Sequence, residues 1–147
     1  MPSTIVTTAT GILGREMVHE LDQHASQWPI VHELSRSKKE DYPFNVLYNH
    51  IDLTLSVDQM TNSLKIVQGE YIFFAAHLDT EKKNYDVNRQ ILSNFLEALI
   101  KTGAVTEVKH IILVIRAKQH GVHLGASKDP MIELDLWLNS LDRPLNF

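Results

Sequence analysis

The stretch Thr4-Ile5-Val6-Thr7-Thr8-Ala9-Thr10-Gly11-Ile12-Leu13-Gly14-Arg15 decides how this chain is read. Thr4 to Thr8 is a β-branched run, which fits a pleated and largely buried strand. Gly11 ends the run and opens a helical pattern. Leu13, Met17 and Leu21 follow at i, i+4 and i+8, which predicts that they share the inner face of that helix. A strand that turns through glycines into a helix lets the backbone approach a phosphate closely, with helix-terminal N–H groups aimed at it. Gly11 and Gly14 stand in register for such a turn. The position three before Gly11, where another glycine is expected, holds Thr8. A β-branched residue there is expected to resist positive φ and to narrow the phosphate approach. The alternative needs no ligand: Gly11 turns the chain, and Gly14 lets the helix pack on the sheet.

The pattern repeats outward from this unit. Pro29 breaks the chain, and Ile30 to Leu34 reads as a second strand. Ser35 to Pro43 is polar and reads as a loop in place of a crossover helix. Val46 to Ile51 reads as a third strand ending at Asp52. Ser56 with Gln59 is a capping box for a helix running to about Val67, with Gly69 expected to close it. Tyr71 to Ala76 is a continuous apolar run, as a buried parallel strand requires. Ile91, Leu92, Phe95, Leu96 and Leu99 give a long helix from about Asp86 to Thr102, stopped by Gly103. His110 to Ile115 reads as a fifth strand. From about residue 117 the pattern is irregular, with one short helix expected near Met131 to Leu138. Strands alternating with crossovers predict an α/β domain with a doubly wound parallel sheet of about five strands, order 3-2-1-4-5. The ligand crevice of such a sheet lies at the carboxyl ends of its strands. Residues 7–14, 35–37, 52–53, 75–80 and 115–121 are expected to line it.

Composition narrows the function classes. With 147 residues, one domain is expected. A net charge of −4 gives no reason to expect nucleic acid or a membrane surface as partner. The chain has no cysteine, so disulfide frameworks and thiolate metal sites are excluded. No stretch is apolar over 18 residues, and no basic-then-apolar leader is visible, so a cytoplasmic protein is expected.

Several residues then stand as site candidates. Arg36 lies near the end of the second strand, where a carboxylate would hold a ribose hydroxyl. An arginine there can pair with a 2′-phosphate, which favours NADP over NAD. Asp52 and Leu53 end the third strand, where an adenine could be held. His77, Asp79 and Tyr85 follow the fourth strand, and Arg116, Lys118 and His120 follow the fifth. A carboxylic acid opposite a histidine can do acid–base work without a cofactor. His120 and His123 have no third ligand nearby in sequence, so no metal site is expected.

Together these stretches resemble the extended short-chain dehydrogenase/reductase family. The similarity is greatest to its progesterone 5β-reductase/iridoid synthase-like branch, particularly fungal members. The matching segments, in order, are Thr10 to Arg15, Leu34-Ser35-Arg36, Asp52-Leu53, Phe73 to Ala76, Asp86-Val87-Asn88, Ala117 to His120 and Pro144 to Phe147. The resemblance implies a Rossmann-like fold, NADPH as cofactor, and reduction of enones or related carbonyls. It assigns Lys118 to the family's catalytic lysine. It assigns Thr8, Gly11, Ile12, Gly14, Arg36, Asp52 and Leu53 to the cofactor site. Three departures bear on activity: Thr8 replaces a glycine, Ile115-Arg116 replaces Thr-Gly beside the nicotinamide, and Phe147 ends the chain where Phe-Tyr-Tyr would begin. The expectation is therefore a truncated scaffold lacking the C-terminal substrate segment and the catalytic tyrosine. Its cofactor site is expected to be degraded, binding NADP or nothing. The function expected first is a non-redox acid–base isomerase or cyclase acting on a small molecule, for example by epoxide opening. Asp79, His77, His120, Arg116 and Tyr85 are its candidate groups beside Lys118. An NADPH-dependent enone or carbonyl reductase and a non-catalytic binding module are the alternatives. An exposed edge at the fifth strand makes a homodimer the expected assembly.

Overall fold

The β-branched run at the N-terminus forms strand β1 (Ser3–Thr7), and the helix that follows it is α1 (Ile12–Gln23). In the computed structural model, residues 2–8, 10–38, 41–78 and 84–114 are described. Strands β2 (Ile30–Ser35) and β3 (Val46–His50) are joined without a helix between them, as the polar 35–43 stretch predicts. Helix α2 (Val57–Leu64) leads to β4 (Tyr71–Phe74). Helix α3 (Asn84–Thr102) and a 3₁₀ turn (Ala104–Glu107) lead to β5 (His110–Leu113). The strands form one sheet in the order β3-β2-β1-β4-β5, and every neighbouring pair is parallel. This is the doubly wound order expected from the alternation of strands and crossovers.

Register sets two separate cores, because successive side chains point to opposite faces. Ile5 lies beside His32 and Ile72, whereas Val6 lies beside Glu33 and Phe73. Ile5, Leu34, Ile72 and Phe74 pack against Met60, Leu64, Phe95 and Leu99 of α2 and α3. Val6, Val31 and Val46 pack against Val18 and Leu21 of α1. Full burial of each such side chain contributes roughly 1.5–3 kcal/mol. No helix among the described residues is long and apolar enough to cross a membrane.

The element ends are where local chemistry shows. The capping box at α2 is present: Ser56 Oγ accepts from the Gln59 amide, and the Gln59 side chain accepts from the Ser56 amide. Gly103 stops α3 at φ 76, in the left-handed region. The apolar run 71–76 leaves the strand at Phe74, because the Ala75 amide donates to Thr7 Oγ1 at 3.1 Å.

Two helix readings are corrected. The inner face of α1 is Gly14, Val18 and Leu21, while Leu13 is 55% exposed. At about 100° per residue, i to i+8 drifts by about 80° and i to i+7 by only about 20°. The spacing of Gly14 and Leu21 is therefore the one that stays on the sheet. Gly69 does not close α2, which ends five residues earlier at Leu64 with Lys65 as its C-cap. A Cβ on Gly69 would lie 2.6 Å from Ile5 Cγ1 and 3.0 Å from Ile5 Cδ1. Gly69 is there because the chain entering β4 passes directly over Ile5 of β1. The expected short helix 131–138, the tail from about 117, and Ile115 lie outside the described residues.

Candidate functional site

The carboxyl ends of β1 to β4 meet the β1–α1 turn and the middle of α3 around a cavity of about 160 Å³. The β1–α1 turn supplies Thr8 and Thr10 to its wall. Thr8 adopts φ 54. It is the one non-glycine residue at positive φ among the described residues. The expectation that a β-branched side chain would resist this conformation is overturned. The turn demands it: the Thr8 carbonyl accepts from the Gly11 amide at 2.9 Å, and the Gly11 carbonyl then accepts from Arg15 at 2.9 Å as α1 begins. Holding an L-residue there costs about 1–2 kcal/mol, and the surrounding contacts bear that cost.

Gly11 is the N-cap of α1, with extended backbone and no side-chain cap. The first turn of α1 carries no acidic residue. Its partial positive charge is therefore not offset by a neighbouring carboxylate of the helix itself. A Cβ on Gly11 would lie 3.2 Å from the Thr8 carbonyl oxygen and 3.3 Å from Thr8 Cγ2. Ile12 begins the helix and is 79% exposed, whereas Gly14 is buried in the α1–sheet contact. Of these two cofactor candidates, Gly14 serves packing and neither lines the cavity.

The β2 end contributes Ser35, Arg36 and Ser37. Ser35 Oγ lies 2.9 Å from the Ser37 carbonyl and 3.3 Å from Glu33 Oε1. This hydroxyl ties the loop back on itself and leaves Arg36 exposed on the cavity wall. The β3 end contributes Ile51, Asp52, Leu53 and Thr54. Asp52 Oδ1 accepts from the Thr54 amide at 2.9 Å and the Thr54 hydroxyl at 2.6 Å. Those bonds hold the Asp52 carboxyl below its ordinary range, and Arg36 and His50 add to the effect. One oxygen of Asp52 is thus spent on a turn. Leu53 lines the cavity and packs on the larger core.

The β4 end contributes Ala76, His77 and Leu78, with Ile91 of α3 behind them. Asn88 of α3 fixes this segment. Its Oδ1 accepts from the Leu78 amide, and its Nδ2 donates to the Leu78 carbonyl, both at 2.8 Å. His77 is exposed on the wall, while Tyr85 is 53% exposed in the first turn of α3 and does not line the cavity. Asp79, Arg116, Lys118 and His120 lie outside the described residues.

The fold therefore brings Thr8, Arg36, Asp52, Leu53 and His77 to one cavity and leaves Gly11, Ile12, Gly14 and Tyr85 off its wall. Sequence reasoning gave no role to Thr54, and it noted Asn88 only within a matching segment. An Asp followed two residues later by Thr signals a side-chain-capped turn. An Asn inside a helix is a poor helix former and so calls for another partner. Among the described residues, no group of three or more His, Cys, Asp or Glu can hold a metal ion.

Known proteins bear on this geometry. No protein-family profile matches the chain. It is 36% identical over 138 residues to an uncharacterized protein of Schizosaccharomyces pombe, covering 90% of this chain and 34% of that protein. It is 29% identical over 133 residues to the (S)-8-oxocitronellyl enol synthase of Nepeta cataria, covering 85% of this chain and 32% of that enzyme. The chain thus spans about a third of the length of these curated relatives. Among solved structures, the UDP-N-acetylglucosamine 4-epimerase of Bacillus cereus superposes with a TM-score of 0.65 at 18% identity, covering 95% of this chain and 45% of that one. Uronate dehydrogenase of Agrobacterium tumefaciens, complexed with NAD, gives 0.59 at 22% identity, covering 81% and 42%. The fold is Rossmann-like. The chain is homologous to the enol synthase and shares the fold of dehydrogenases and epimerases.

Proposed function

We propose that the chain is the nucleotide-binding portion of an NADP(H)-dependent enzyme of the short-chain dehydrogenase/reductase type, acting on a small carbonyl or enone compound. The observation that carries this reading is the φ of 54 at Thr8. The turn keeps the backbone that a glycine would supply, so the departure from glycine has not unmade the turn. The donor set fits an NADP(H) adenosine end. Arg36 stands exposed on the wall between Ser35 and Ser37, and its charge suits a 2′-phosphate. Leu53, Ile91 and Ala76 offer an apolar slot for a base. When bound, the cofactor would supply a hydride. The chain's own part is to bind and orient it: Arg36 by charge, and Asn88 by holding the His77–Leu78 wall in place. The homology to an enol synthase supports the substrate class.

Titration of NADPH and NADH, followed by nucleotide fluorescence, tests the reading. NADPH is expected to bind at least about tenfold more tightly than NADH, and Arg36→Ala to remove most of that difference. Equal binding of the two, or no binding, would count against it. A second reading, the cofactor-independent isomerase or cyclase, is favoured by His77 on the cavity wall. Turnover of an epoxide or polyene without NADPH, abolished by His77→Ala, would replace the first reading with the second. A cytoplasmic homodimer belongs to the proposal too. Ile111, Ile112 and Leu113 of the outermost strand are each more than 40% exposed, which supports association. Light scattering that shows a monomer at high concentration would remove this part.

A further inference from the structure

Resting on the nucleotide reading above, we infer that Thr8 sets which part of a nucleotide this site holds. The cavity takes a 2′-phosphorylated adenosine, and the threonine side chain denies the adjoining diphosphate its grip on α1. The argument starts from what glycines do at such a turn. They leave room above the helix N-terminus, so that a diphosphate can reach the backbone N–H groups. Here the room that Gly11 opens is already bounded by Thr8, whose Cγ2 lies 3.3 Å and whose carbonyl oxygen lies 3.2 Å from the position of a Cβ on Gly11. The Gly11 amide is itself used within the turn, donating to that carbonyl at 2.9 Å. At φ 54 the Thr8 side chain is carried on a backbone that otherwise matches a glycine turn. Of the two bounding atoms, the carbonyl oxygen belongs to the turn, and Cγ2 is the one that a substitution at position 8 removes.

The described part of the cavity holds about 160 Å³. Arg36, the one cation of the wall's described lining besides His77, stands at the β2 end with Ser35 and Ser37, whereas the β1–α1 turn supplies only the hydroxyls of Thr8 and Thr10. The site is thus equipped for a nucleoside with a phosphate near Arg36. The same set offers little to a diphosphate beyond it.

Isothermal titration of the full chain with adenosine 2′-monophosphate and with NADPH tests this, using wild type, Thr8→Gly and Thr8→Ala. In wild type the two ligands are expected to bind within about threefold of each other, because the diphosphate adds almost nothing. Thr8→Gly should tighten NADPH about tenfold or more, the worth of one recovered hydrogen bond to a charged group, and leave the monophosphate unchanged. Thr8→Ala, which removes Cγ2 and keeps Cβ, should fall between them. If wild type already binds NADPH tenfold or more tighter than the monophosphate, the inference is overturned. It is equally overturned if both variants bind the two ligands as wild type does. If neither ligand binds any of the three proteins, the nucleotide reading itself fails, and the inference with it.

Discussion

Gly69→Ala isolates the contact that seats the sheet under the site. The added Cβ would lie 2.6 Å from Ile5 Cγ1, 3.0 Å from Ile5 Cδ1 and 3.4 Å from the Ile5 amide nitrogen. Ile5 is fully buried in β1, with Ile72 of β4 beside it in register. Cγ1 is held by the Ile5 branch point, so it cannot rotate away as the end of a flexible side chain would. Overpacking of this kind costs about 1–3 kcal/mol. Ile5→Ala alone should cost about 2–5 kcal/mol through the cavity it leaves. In the Ile5→Ala background the clash is gone, and the methyl at 69 partly fills that cavity. Gly69 is not at positive φ, so alanine there also restricts the unfolded chain, which contributes roughly 0.4–1 kcal/mol of stability. The substitution should therefore change sign, destabilising wild type and leaving the Ile5→Ala protein unchanged or more stable. Urea unfolding of the four proteins measures the coupling, expected at about 1–3 kcal/mol. Each kcal/mol should appear as a shift of about 2–4 °C in Tm for a chain of this length. An alanine at 69 that costs the same in both backgrounds would refute the reasoning, and so would one that is harmless in wild type.

Two further outcomes are expected. Ser56→Ala removes the hydroxyl that accepts from the Gln59 amide at the start of α2; a loss of about 1 kcal/mol in urea unfolding is expected, and no loss would mean the cap is idle. His32 is buried in β2, and burial lowers its pKa from the ordinary 6.5. The folded state thus favours the neutral ring, whereas the unfolded chain takes up a proton as pH falls through 6.5. The stability present above that pH is lost on acidification toward the folded-state value. Urea midpoints at about pH 7.5 and about pH 5.5 should converge in His32→Gln relative to wild type; an unchanged gap would assign the acid sensitivity to other groups.

Much of the architecture could be read along the chain because its signals are local. Runs such as Thr4–Thr8 and Tyr71–Ala76, the Ser56–Gln59 pair and Gly103 each act within a few residues, and the strand order follows from the alternation they mark out. That Arg36, Asp52, Leu53 and His77 would share one crevice could be read for the same reason, since a doubly wound sheet presents its strand ends together.

Three things were settled only in space. Leu13 and Gly14 are adjacent in sequence, and only packing on the sheet decided that the glycine faces inward. Gly69 was legible as a glycine, but its partner Ile5 lies 64 residues earlier, and no local pattern carries a contact at that separation. Thr8 is the plainest case. Its intrinsic preference speaks against positive φ, yet the strand before it and the helix after it impose a turn that only positive φ can close. Local chemistry determined the elements and their order. Tertiary packing decided which faces meet, and it placed a β-branched side chain in a glycine's conformation at the mouth of the site, because the summed contacts of β1 and α1 outweigh a cost of about 1–2 kcal/mol.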